Sequence, residues 1–317
     1  MTMRLKSRLS LLGIAKRWRG YPSKFQTTHF VLAIATAAAS TSTYASNIKV
    51  MDDADRTVSL QQPAQRIVSL APHITELLFA IGAGPQIVGT THYSDYPAAA
   101  NQIPRIGGYD KVNLEKIVTL QPDLIVAWQS GNNARTNQRL EQMGYAVYYS
   151  EPETLTDIAK AMANLGKLVG NPSKGEAARD DFLQRYNGLK AQHHQQRPLK
   201  IYYEVWQNPR YTLGGSHFTR EIFMLCGATN IFADVQEKAP IVSLEAIISR
   251  NPDVILTGQR HGDENLQALR NHWQQWPQIA AVKQAQIYYV DADIFTRSSP
   301  RAIEAAEALC ALLGDIR

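Results

Sequence analysis

Two glutamates, Glu115 and Glu245, hold matching places in a phrase that this chain uses twice. Residues 114–128 read LEKIVTLQPDLIVAW and residues 244–258 read LEAIISRNPDVILTG, 130 positions apart and identical at six of fifteen places (Leu, Glu, Ile, Pro, Asp, Ile). Each glutamate falls in the first turn of a helical pattern, one position off its apolar face, and is expected to face solvent. A carboxylate there complements the helix dipole with no partner at all. The only two thiols, Cys226 and Cys310, suit one disulfide in an exported chain. The eight histidines are dispersed, with His193-His194 on a polar helical stretch, so no converging zinc set is expected. Neither GxSxG nor HExxH occurs, which makes an exported α/β enzyme the remote reading.

Two kinds of element must position these residues. Leu114, Ile117 and Val118, and again Leu244, Ile247 and Ile248, fall at i, i+3 and i+4 and predict a short helix behind a polar cap, Asn113 or Ser243. Pro122 or Pro252 stops that helix, and the apolar run after it (124–127; 254–256) predicts an enclosed parallel strand. The duplication is wider than the phrase, because strand 66–70 followed by helix 72–81 recurs as strand 200–205, helix 221–225 and a stop at Gly227. Strands alternating with helices in each half argue for two small α/β domains.

Between the halves, residues 154–169 predict an amphipathic helix. A polar helix then runs from Asn171-Pro172 to about Gln195, with Ala178, Phe182, Tyr186 and Leu189 as its apolar stripe, although Gly175 and Gly188 weaken the pattern. Such a helix of about 24 residues reaches roughly 36 Å and ties the halves stiffly. Ahead of the first half, 48–60 alternates around Asp52-Asp53-Ala54-Asp55 and predicts a hairpin or extended arm. The organisation read from this pattern is a first lobe with its hairpin at 46–170, a connecting helix at 171–195 and a second lobe at 196–317.

Residues 1–45 carry seven Lys or Arg and no acid, then an apolar and small-residue run at 30–39 and Thr43-Tyr44-Ala45, the pattern of a secretory signal peptide cleaved after Ala45. The run is too short to span a bilayer, which takes about 20 apolar residues. Beyond the leader, 26 basic residues face 28 acidic ones. The sequence pI of 9.1 therefore belongs to the leader, and no nucleic-acid partner is expected.

Five segments carry a family resemblance: RIVSLAPHITELLFAIGA (66–83), THYSDYPAAANQIPRIGG (91–108), the first copy of the repeated phrase, CGATNIF (226–232) and DIFTRSSPR (293–301). From about residue 48 to its end, the chain resembles the substrate-binding proteins of ABC importers whose two lobes are joined by one long backbone helix. These carry cobalamin, haem and ferric siderophores, and the similarity is strongest to the cobalamin carriers. The resemblance implies two Rossmann-like α/β lobes with a ligand cleft between them, a soluble monomer in the periplasm, no catalysis, and no resident cofactor or metal.

Cobalamin or a related corrinoid is then cargo, captured in the cleft and delivered to the importer. Glu115 and Glu245 are implied to dock on arginines of its permease. Tyr93, Trp128, Asp293 and Arg297 match positions that contact the ligand in that family, and Tyr109 stands where the cobalamin carriers have Trp. Ala239 replaces another cleft Trp, while Trp206 is an extra aromatic beside the expected phenylalanine position. A haem or ferric-siderophore carrier of the same architecture is the alternative, with Tyr93, His92, His73 or His217 as candidate axial ligand.

Overall fold

The two halves build the same sheet in the same order. A computed structural model describes residues 47–193, 198–259 and 266–317. The leader with its cleavage after Ala45, and the end of the connecting helix past His193, lie outside these described residues. A hairpin, β1 (Ile48–Met51) and β2 (Thr57–Leu60), precedes a first lobe of β3 (Ile67–Ser69), α1 (Pro72–Ala80), β4 (Ile87–Thr90), α2 (Leu114–Leu120), β5 (Leu124–Trp128), α3 (Ala134–Gln142) and β6 (Val147–Ser150). Two helices follow, α4 (Leu155–Leu168) and α5 (Pro172–His193). The second lobe holds β7 (Leu199–Glu204), a short ribbon of β8 (Trp206–Gln207) and β9 (Arg210–Tyr211), α6 (Thr219–Leu225), β10 (Ala228–Asn230), α7 (Leu244–Arg250) and β11 (Val254–Gln259). It closes with α8 (Leu266–Trp273), α9 (Ala280–Lys283), β12 (Ile287–Asp291), α10 (Ala292–Thr296) and α11 (Ala302–Ile316). The parallel sheets run β4-β3-β5-β6 and β10-β7-β11-β12, so with β3 matched to β7 the two orders coincide.

The repeated phrase takes one geometry in both lobes. Asn113 Oδ1 accepts the Lys116 amide at 3.0 Å, and Ser243 Oγ accepts the Ala246 amide at 3.2 Å, each capping its helix. Both helices end on a left-handed residue, Gln121 (φ 45°) or Asn251 (φ 46°), and the following proline cannot continue them. Asp123 then accepts the amides of Gln65 (2.7 Å) and Arg66 (2.9 Å), as Asp253 accepts that of Lys200 (2.8 Å). Arg66 donates back to the Leu120 carbonyl at 2.6 Å and Lys200 to the Arg250 carbonyl at 3.0 Å, so a cation at each strand start closes the helix end.

In β5, Leu124 and Val126 face one core while Ile125 and Ala127 face another, and β11 repeats this with Val254 and Leu256 against Ile255. The expected three-residue apolar face of α2 is narrower than its pattern: Ile117 is buried, Leu114 is half-buried and Val118 is 39% exposed. A helix of seven residues has only the side chain aimed straight at the sheet fully covered.

One core is shared by both lobes and the connecting helices. The stripe Ala178, Phe182, Tyr186 and Leu189 of α5 packs on it. A Cβ at Gly175 would lie 2.7 Å from the Met162 carbonyl oxygen, and one at Gly166 would lie 2.9 Å from the Gly175 Cα. Helices α4 and α5 therefore meet backbone to backbone. Arg185 forks onto Glu307 with contacts of 2.8 and 2.6 Å and ties α5 to α11. Cys226, at the end of α6, is bonded to Cys310 in α11 across a sequence separation of 84. Closing a loop of that order contributes typically about 2–4 kcal/mol.

Candidate ligand-binding site

The equivalent strands β5 and β11 carry different residues at the same place, Trp128 and Gly258. The half-buried Trp128 indole stands edge-on to His73, with ring centroids 5.5 Å apart, and tilted to Tyr109 at 5.6 Å. It lies across Gly131, where a Cβ would come within 1.9 Å of the ring. Asn132 fixes this wall, since its Oδ1 accepts the Trp128 amide at 2.6 Å while its Nδ2 donates to the carbonyls of Leu70 (2.9 Å) and Tyr109 (2.6 Å).

At Gly258 a Cβ would approach the Tyr203 hydroxyl to 2.4 Å. The bare backbone there opens onto a hollow of about 770 Å³ lined by Glu204, Trp206, Thr257, Tyr289 and Thr296. Glu204 is fully buried and accepts from Gln207 and Arg210, both at 3.1 Å. Burial pushes its carboxyl above the ordinary range despite those donors. The first lobe thus contributes an aromatic wall and the second an open, mixed-polarity hollow, surfaces that suit a large flat ligand with polar arms.

Tyr93 and Trp206 lie exposed, Tyr93 in the left-handed region (φ 64°) and Trp206 with its indole N–H donating to the Asn208 carbonyl at 2.9 Å. The structure brings Tyr109 to Trp128 and Asp293 to Arg297, and it sets Trp206 on the hollow. Arg297 is itself buried and already compensated. Its Nη1 donates to Glu76 (3.0 Å) and Asp95 (3.1 Å), and Nη2 lies 2.9 Å from Asp293. Burial opposes the charge, but Asp293, Glu76 and Asp95 outweigh it and hold the guanidinium above its ordinary pKa.

Of the four candidate axial ligands, His73 is enclosed behind Trp128 and His217 Nδ1 is engaged by the Thr219 hydroxyl at 2.8 Å. His92 and Tyr93 are exposed. Among the described residues no group of three or more His, Cys, Asp or Glu gathers as a metal site.

Glu115 and Glu245 are both exposed at the starts of α2 and α7. The Glu115 carboxylate makes no hydrogen bond or ion pair to another described residue. Glu245 is held by its own amide and the Ser243 hydroxyl, which keep its pKa below the usual carboxylate value. Of the six identities in the repeat, the isoleucines fill cores, the leucines pack against them, and proline and aspartate terminate and anchor the helix. The glutamate is the identity that fills no core and anchors no strand, standing exposed at the start of each helix.

A family model described as periplasmic binding protein matches residues 67–294. The chain belongs to this family. Its relatives include the vitamin B12-binding protein of Vibrio cholerae serotype O1, 38% identical over 252 residues that cover 79% of this chain and 90% of that protein. The crystal structure of the periplasmic vitamin B12 binding protein BtuF of Vibrio cholerae matches with a TM-score of 0.73 over 80% of this chain and 97% of that one. The periplasmic heme-binding protein RhuT from Roseiflexus sp. RS-1 shares the fold, with a TM-score of 0.70 and 21% identity over 80% of this chain and 98% of that one. These relatives are binding proteins.

Three residues of the site escaped the sequence reading. Asn132 lies in a polar loop, Ser130-Gly131-Asn132-Asn133, where nothing sets it apart from a turn residue. Glu76 had a signal, as the one acid on helix α1, whose other residues are apolar but for His73 and Thr75. Arg301, the third, binds Glu76 through Nε at 2.9 Å and Nη2 at 2.7 Å.

Proposed function

We propose that this chain captures cobalamin or a related corrinoid in the periplasm and delivers it to an ABC importer. The observation that carries this reading is the unequal pair of strand ends, an aromatic wall at Trp128 and Tyr109 against an open hollow at Gly258. A corrin is flat, and its rim bears amide arms and an anionic nucleotide loop. Stacking on Tyr109 and Trp128 suits the ring, with Tyr93 and Trp206 as further aromatic contacts and Asp293 and Arg297 facing polar groups. The 38% identity to a vitamin B12-binding protein supports the same cargo. Capture is noncovalent, the corrinoid is cargo with no resident cofactor beside it, and the carrier works as a monomer after leader cleavage near Ala45. Glu115 and Glu245 dock on arginines of the permease.

A haem or ferric-siderophore carrier is the second reading, favoured by the exposure of Tyr93 and His92. Calorimetric titration of the purified protein with cyanocobalamin, haemin and a ferric siderophore separates the two. Saturable one-to-one binding of cyanocobalamin alone is expected. Binding of haemin or the siderophore without cyanocobalamin overturns the corrinoid reading.

A further inference from the structure

We propose that Glu76 is an interlobe positioning residue, a buried carboxylate of the first lobe that holds Arg297 and Arg301 of the second and so sets lobe separation and the aim of Arg297. Its link to ligand capture rests on the function proposed above. The Glu76 side chain is 2% exposed. It receives three N–H donors: Arg297 Nη1 at 3.0 Å and Arg301 Nη2 at 2.7 Å on Oε1, and Arg301 Nε at 2.9 Å on Oε2. The Arg301 contact is a fork, which fixes direction as well as distance.

The Arg301 guanidinium also lies 3.9 Å over the Tyr96 ring, so a side chain at the start of α11 is held by two groups of the other lobe. Arg297 in turn reaches Asp95 of the first lobe and Asp293 of its own helix. Other polar links between the lobes stand apart from this cluster, Lys238 to Glu151 at 3.0 Å and the Leu155 amide to Glu221 at 2.7 Å, and Lys238 is exposed and screened.

Two guanidiniums meet on one carboxylate oxygen in a buried site. Both guanidiniums belong to the second lobe, so removing the first-lobe carboxylate takes away the charge that draws them across the boundary and leaves Arg301 a partly buried cation without its carboxylate partner. The response expected is that the second lobe draws back towards water. The cluster also adjoins the tie. Glu76, Tyr96 and Arg301 line a second cavity, of about 660 Å³, together with Phe182 and Arg185 of α5. A small displacement beside the connecting helix is magnified at the far edge of the cleft.

The test measures lobe separation in ligand-free protein. With the native disulfide intact, cysteines at the exposed Gln142 and Gln274, one in each lobe, take nitroxide labels for pulsed dipolar distance measurement. Glu76→Gln and, independently, Arg301→Gln are expected to lengthen and broaden the distance distribution. With cyanocobalamin as the probe, each should also weaken binding about tenfold or more, chiefly through faster dissociation. Circular dichroism identifies folded variants, and Arg301, whose side chain is 12% exposed against 2% for Glu76, makes the variant to rely on should Glu76→Gln not fold. Distance distributions that coincide with the parent's in a folded variant overturn the proposal, whatever happens to affinity. A parent protein that binds no cyanocobalamin overturns the corrinoid function and leaves the interlobe role to be judged on the distances alone.

Discussion

Behind the Trp128 indole, the His73 ring is 4% exposed, and its Nε2 has no hydrogen-bond partner among the described residues. Burial brings its pKa down from 6.5 to about 4. The folded protein therefore keeps the ring neutral where the unfolded chain already protonates it. Stability from this group is complete above the unfolded pKa of 6.5 and drains away as the pH falls towards the folded value of about 4. The loss reaches at most about 3 kcal/mol. His217, also lowered to about 4 by burial, adds its own loss in the same window. His73→Phe keeps a ring against Trp128 and removes one of the two titrations. Its melting temperature should fall less than the parent's between pH 6.5 and 4, and parallel profiles would show that His73 does not titrate as described. What could be read in the sequence at this scale was a residue whose type is anomalous in its pattern, as Glu76 is as the one acid in a mostly apolar helix. Asn132 could not be read, because two of its bonds reach carbonyls 62 and 23 positions away, a relation that only the fold creates.

Two glycines in α5 have opposite surroundings. Gly175 lies against α4, where an added Cβ would come 2.7 Å from the Met162 carbonyl oxygen, whereas Gly188 has nothing within 4 Å. Ala at Gly175 should push α4 and α5 apart and cost about 1–3 kcal/mol. The same change at Gly188 relieves the chain of glycine's backbone entropy and should add about 0.5–1 kcal/mol. Urea unfolding of the two variants measures both, and a shift of the same sign for each would dismiss the close helix contact. By propensity alone both glycines simply weaken a helix. The helix itself and strands β3, β5, β7 and β11 were legible because each is written in local periodicity, whereas β6, β10 and β12, which complete the two sheets, were not read. The crossing of α4 on α5 and the shallow seating of α2 were not, since both depend on where elements meet after the chain has folded.

At the scale of the molecule, the duplication puts two equivalent carboxylates at the starts of two equivalent helices, on lobes joined by packed helices and a shared core. The doubled phrase made this arrangement readable in advance. The role of the glutamates was not readable, since an acid in a first helical turn has a sufficient local reason to be there. Structure narrows the question, because every other identity in the repeat has a task inside its lobe. The two explanations differ in what reversal of both charges does. If Glu115 and Glu245 serve only the helix dipoles, Glu115→Lys with Glu245→Lys costs about 0.3–1 kcal/mol per site and leaves uptake intact. If they dock the carrier, the double variant binds cyanocobalamin as the parent does while importer-dependent uptake falls to background. Each single reversal leaves one acid in place and should reduce uptake by less. Labelled cyanocobalamin uptake, measured beside calorimetric affinity and thermal stability, decides between them, and undiminished uptake by a folded double variant would sink the docking role.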